Sequence, residues 1–154
     1  MNGLRRRFTL IFMLATVLGA CHSGPQETIF EAAMTGNLAA IDRAVRSGVD
    51  VNEADSQGET ALHYAASAGQ SGAVKKLLAL GANVNSLNLY GDTPLHKAAF
   101  TCVYDSLRLL LDAGADFQAS SKGGETPLHQ AAACQDPRLA QRLIAGGADF
   151  NASN

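Results

Sequence analysis

The chain has 154 residues, of which 47% are apolar and 6% aromatic, with no tryptophan and a net charge of −2. That length allows one domain with a modest core, and 15 glycines spaced at regular places argue against a long disordered linker. With no Lys/Arg stripe, the charge argues against nucleic-acid binding.

The leader differs from the rest. Arg5, Arg6 and Arg7 precede an uncharged, nearly all-apolar run from Phe8 to Ala20. The run is too short for a comfortable helical span of a bilayer, which needs about 20 residues. A basic cluster followed by a short apolar stretch is the pattern of a secretory signal peptide, so residues 1–20 are set apart from the fold. Leu18-Gly19-Ala20-Cys21 resembles the bacterial lipobox, which implies cleavage before Cys21 and a diacylglycerol on its thiol. Ordinary cleavage near Ser23, with Cys21 discarded, is the alternative. His22 rather than Asp after the cysteine favours the outer membrane under the enteric-type sorting pattern. Loss of Arg5, Arg6 and Arg7 takes the charge from −2 to −5. Residues 21–26 form a tether, and the five from His22 to Gln26 reach at most about 18 Å.

From residue 27 onward the chain repeats itself. Gly58, Gly91 and Gly124 stand 33 apart, as do Thr60, Thr93 and Thr126, and His63, His96 and His129. The alanine pairs 65–66, 98–99 and 131–132 follow the same period, then Leu77-Leu78, Leu110-Leu111 and Leu143-Ile144. An earlier, degenerate copy carries Ala32-Ala33, Gly36, Gly48 and Asp50-Val51-Asn52 one period upstream. The units run about 27–55, 56–88, 89–121 and 122–154.

Each unit reads as two helices and a loop. In the third, Thr93 caps a helix and Pro94 suits its first turn. Leu95, Ala98 and Ala99 lie at helical spacing and face inward. A second helix is predicted over Tyr104–Asp112, with Leu107, Leu110 and Leu111 on one stripe and Gly114 as a left-handed cap. Ala115 to Gly124 then turns outward as a hairpin-like loop. No such pair buries its own apolar face, so stacked neighbours must share one core. The end copies differ, as caps do. The first reads Glu27-Thr28-Ile29-Phe30, with Phe30 in place of a His and a helix expected to embed differently. The last carries Gln141 and Arg142 on an outer helix that starts near Pro137.

Thr-Pro-Leu-His, Ala-Ala, Leu-Leu and Gly-Ala-Asp/Asn at a period of 33 resemble the ankyrin repeat. The resemblance covers about residues 27–154 and implies an all-α solenoid of stacked helix–turn–helix units with hairpin-like loops. It also implies that His63, His96 and His129 hydrogen-bond within and between repeats. A shared metal is opposed by spacing, since equivalent points of stacked helices lie about 10 Å apart and metal–nitrogen bonds are about 2 Å. No motif calls for a metal or cofactor. Neither G-x-S-x-G, H-E-x-x-H, C-x-x-C nor a Gly-rich phosphate loop occurs, so a non-enzymatic reading follows.

Cys102 and Cys134 fall one residue out of equivalence. Regular stacking would hold them beyond the ~7 Å Cα separation that a disulfide tolerates. Two free, partly buried thiols are therefore expected, with a bridge as the alternative in an oxidising compartment.

Family resemblance implies partner contacts on the concave face, at positions the repeat leaves free. In the loop tips these are Glu53, Ser56, Gln57 and Glu59, then Leu87, Leu89, Tyr90 and Asp92, then Lys122 and Glu125. On the first helices they are Met34, Tyr64, Ser67, Lys97, Phe100, Thr101 and Gln130. Leu87, Leu89, Tyr90 and Phe100 are apolar where the framework does not require it, which marks an interface; the leucines could instead pack beneath their own loop. The expected protein is a monomer when unbound, in the periplasm and lipid-anchored to the outer membrane through Cys21. Soluble periplasmic or secreted forms are the alternative. Its partner is another protein, expected to be an exported enzyme such as a peptidoglycan-cleaving hydrolase that it inhibits or against which it protects the cell. The alternative role is an envelope scaffold that assembles or supports a partner such as a stress-response enzyme.

Overall fold

The computed structural model describes residues 27–148. The leader, the tether with Cys21 and the final residues 149–154 lie outside the described residues.

Eight helices run through the described residues as four pairs, with no strand beyond an isolated bridge between Ala54 and Thr60. The inner helices are α1 (Ile29–Thr35), α3 (Ala61–Ser67), α5 (Pro94–Phe100) and α7 (Pro127–Ala132). The outer helices are α2 (Leu38–Arg46), α4 (Ser71–Ala79), α6 (Tyr104–Asp112) and α8 (Pro137–Ala145). Inner helices pack on inner and outer on outer along the stack, as the all-α solenoid requires.

Thr-x-x-His has a local cause. At the start of α5 the backbone N–H of Thr93 donates to His96 Nδ1 at 3.1 Å, while the Thr93 hydroxyl oxygen accepts from the His96 amide. This is a capping box with imidazole in place of the usual carboxylate. Thr60 with His63 and Thr126 with His129 repeat the box. The first pair departs from it: α1 starts one residue late, with Thr28 and Glu31 forming the box. Phe30 then packs its ring against Tyr64, centroids 5.8 Å apart, which is how the first helix embeds differently.

Ala32-Ala33, Ala65-Ala66 and Ala98-Ala99 are all fully buried, because side chains this small let adjacent inner helices touch. In the last pair Ala131 is buried but Ala132 is exposed, since no further described helix covers it. Leu62, Leu77, Leu95, Leu107, Leu110, Leu139 and Leu143 complete a continuous apolar core. Arg142 does not simply mark a polar outer cap. Its guanidinium turns back 2.7 Å to Asp112 on α6 and ties the last two outer helices together.

The loop tips also stack by backbone. The Leu89 amide donates to the Gln57 carbonyl at 2.9 Å, and the Lys122 amide to the Tyr90 carbonyl at 2.8 Å. Gly58 and Gly91 make this approach possible. Both have φ in the left-handed region, and a Cβ on either would lie about 3 Å from the next tip's amide nitrogen.

Cys102 and Cys134 are joined, with their Cα atoms 5.7 Å apart. The expectation of free thiols is corrected here. Cys102 occupies the position that Gly36 and Gly69 hold in the first two units, and like them it is left-handed, with φ +60. That turn, together with the one-residue offset, brings the two cysteines closer than regular stacking would.

Candidate protein-binding face

The face formed by the inner helices and loop tips carries all the sequence-predicted contact residues, and the structure sorts them into two sets. The first set is tied up within the framework. Lys97 Nζ lies 2.7 Å from Glu59 and 3.8 Å from Asp92, bridging two tips. Glu59 also accepts from Asn88 Nδ2 at 2.8 Å. The Tyr64 hydroxyl donates to Asp55 at 2.6 Å, and the Ser67 and Thr101 hydroxyls donate to carbonyls one turn back. Gln130 sits one period after Lys97 and is half-buried, and its Oε1 has no partner among the described residues. These side chains shape the face more than they offer themselves from it.

The second set is free. Leu87 is 62% exposed, Leu89 55%, Tyr90 59% and Phe100 71%. The leucines therefore do not pack beneath their own loop. Met34, Glu53, Ser56, Gln57, Lys122 and Glu125 are exposed as well. Leu89 and Tyr90 lie between two tips: the Tyr90 hydroxyl reaches Gln57 Oε1 at 3.4 Å on one side, and its carbonyl holds Lys122 on the other. Phe100 stands apart, at the far end of α5.

Two residues that position the loop tips escaped the sequence reading. Buried Asn88 accepts from the Tyr90 and Asp92 amides at 2.9 Å each and so fixes the apolar turn. Asp55, one period earlier, caps its own tip in the same way through the Gln57 and Glu59 amides. Asp55, Asn88 and Ser121 recur at the repeat period, a signal that could have found them. Burial pulls the Asp55 carboxyl upward, but Tyr64 and the two amides outweigh it and hold it below the usual range. Hydrogen bonding to Asp55, reinforced by burial, pushes the Tyr64 phenol up to about 12.

The histidines stitch one unit to the next. His63 Nε2 lies 3.1 Å from the Asp92 carbonyl and His96 Nε2 3.1 Å from that of Glu125. Because Nδ1 accepts from a threonine amide in each, the geometry assigns the neutral tautomer with its proton on Nε2. Burial is the main cause that pushes both imidazoles down, against the pull of the carbonyls they face. The unfolded chain, with an ordinary pKa of about 6.5, then binds more protons than the folded one. This contribution to stability is complete above about pH 6.5 and is lost as pH falls through the folded values. Urea unfolding followed from about pH 7 to about pH 5 should show the midpoint dropping, and His96→Gln should flatten that drop. An unchanged midpoint across the range would overturn the assignment.

A family model of ankyrin repeats (three copies) matches residues 29–121 and 80–154. The chain belongs to the ankyrin-repeat family. No curated protein matches it. Ankyrin repeats are protein–protein interaction modules, so this ankyrin domain is a module for binding another protein, and its inner face is the candidate surface. The third ankyrin repeat is where that face is most apolar, and its tip is held by two neighbours rather than left to move alone.

Proposed function

We propose that this ankyrin protein is a non-catalytic envelope component that binds an exported enzyme in the periplasm and restrains it by covering its active site. A peptidoglycan-cleaving hydrolase is the partner class most in need of such restraint. The exposed apolar tip of the third repeat carries the binding part of this reading. Exposed apolar surface marks interaction sites, and an exposed tyrosine within it, here Tyr90, is a common energetic anchor. The Cys102–Cys134 bridge supports the compartment, because disulfides persist in oxidising spaces and are rare in reducing ones. The basic-then-apolar leader and Cys21 point the same way, to a lipid-anchored domain kept near the outer membrane.

Affinity purification of the domain from its own envelope should recover an exported enzyme in stoichiometric amount, and added domain should lower that enzyme's activity. Recovery with unchanged activity overturns restraint in favour of a scaffold. Tyr90→Ala should leave the melting temperature nearly unchanged while weakening that complex by about 1 kcal/mol or more. A variant that melts early instead would show that the ring supports the fold.

A further inference from the structure

We infer that the occupant of the inner face is a cationic protein surface, one that sets Lys or Arg side chains around an apolar centre. The inference rests on the binding role of the inner face proposed above and adds the chemistry of the partner.

Charge is divided between the two sides of the solenoid. The four outer helices together carry Arg43, Arg46, Lys75, Lys76, Arg108, Arg138 and Arg142 against Asp42, Asp105 and Asp112, so bases outnumber acids there even though some are ion-paired. On the inner helices described, Lys97 is the one Lys or Arg, and Glu59 and Asp92 already neutralise it. The loops add Lys122 against a larger set of carboxylates. Two of these, Glu53 and Glu125, are exposed and take part in no ion pair among the described residues. They belong to the tips on either side of Leu89 and Tyr90, which the backbone bonds from Leu89 to Gln57 and from Lys122 to Tyr90 hold in register. Among the described residues, the apolar centre is thus flanked by two unpaired carboxylates against one unpaired cation, Lys122.

A partner that covers Leu87, Leu89 and Tyr90 strips water from this rim as well. An acidic partner would leave like charges facing across a poorly hydrated gap, which disfavours binding. Lys and Arg resolve both demands at once. Their aliphatic stems can lie on the leucines while the charged heads reach the carboxylates. An Arg can also stack on the open face of Tyr90. The domain makes this contact internally, where the Arg138 guanidinium carbon lies 5.0 Å from the centre of the Tyr104 ring.

Two synthetic helical peptides test the inference on the intact domain. They share one Leu/Tyr apolar stripe and differ only in flanking Lys/Arg or Glu. By fluorescence anisotropy the basic peptide should bind about tenfold or more tighter than the acidic one, and should weaken as salt rises from about 0.05 to about 0.5 M. Glu53→Lys with Glu125→Lys should abolish the preference, while Lys75→Glu with Arg108→Glu on the outer face should leave it intact. Equal affinity for the two peptides, no measurable binding of the basic one, or full binding to the inner-face variant overturns the inference. The two readings fail separately. An exported hydrolase that is restrained by the domain while the acidic peptide binds equally well sinks the cationic partner alone. Selective binding of the basic peptide with no hydrolase restrained sinks only the restraint.

Discussion

Leu95→Ala is expected to lower the unfolding free energy by about 2–5 kcal/mol, a large share of the about 5–15 kcal/mol that holds a domain of this size. Leu95 is fully buried in α5, one period from Leu62 and one from Leu128. Its side chain therefore fills the seam with both neighbouring repeats, and truncation leaves a cavity that neither rigid neighbour can close. Solenoid stability is a sum of unit and interface contributions, so a hole in a central unit weakens two interfaces at once. Leu128→Ala should cost less, since Leu128 keeps 9% of its surface exposed and no described repeat follows its own. Urea unfolding of the two variants beside Tyr90→Ala checks the order, and equal losses at positions 95 and 128 would show that the interfaces are not additive.

Removal of the Cys102–Cys134 bridge is the second large effect. A cross-link across 32 residues restricts the unfolded chain and should contribute about 2–4 kcal/mol. The choice of replacement at Cys102 carries its own signature. A left-handed backbone costs an ordinary residue about 1–2 kcal/mol and glycine almost nothing. Cys102→Gly with Cys134→Ala restores the residue found at Gly36 and Gly69, and so loses only the cross-link. Cys102→Ser with Cys134→Ser loses the cross-link and keeps the strained turn. Thermal unfolding should rank the oxidised protein first, the glycine variant second and the serine variant last. Reduction should bring the native protein down to the serine variant and leave both variants unchanged. If reduction has no effect on the native protein, the bridge does not stabilise the fold.

Repetition made the architecture legible in the sequence. A phrase that recurs every 33 residues with Thr as cap, His at the third helical position and paired alanines states both where helices begin and which side must mate. The starts at Pro94 and Pro127 follow from threonine caps and prolines, and Tyr104–Asp112 follows from its leucine stripe and the glycine after it, because those effects act within a few residues of chain. The first unit was legible only as different. Its one-residue shift arises because Glu27 and Phe30 stand where the other units have the threonine and histidine of the box, so Thr28 with Glu31 caps the helix one residue later and Phe30 packs on Tyr64.

Contact-face positions were likewise readable, as those the period leaves free. Which of them are open to a partner was not. Tyr64, Glu59, Asp92 and Lys97 resemble surface side chains in the chain, yet Asp55 and the neighbouring tips engage all four. Those partners lie up to 38 residues away in sequence, as Glu59 does from Lys97, and only stacking brings them together. The disulfide shows the same division. Its two cysteines were visible as a near-equivalent pair, but their approach depended on a left-handed turn at Cys102 that no residue type other than glycine announces. Local rules of capping and periodicity determined the helices of this protein, because they act over one or two turns. The geometry between units determined which side chains meet, because it is set by how whole repeats lean on one another.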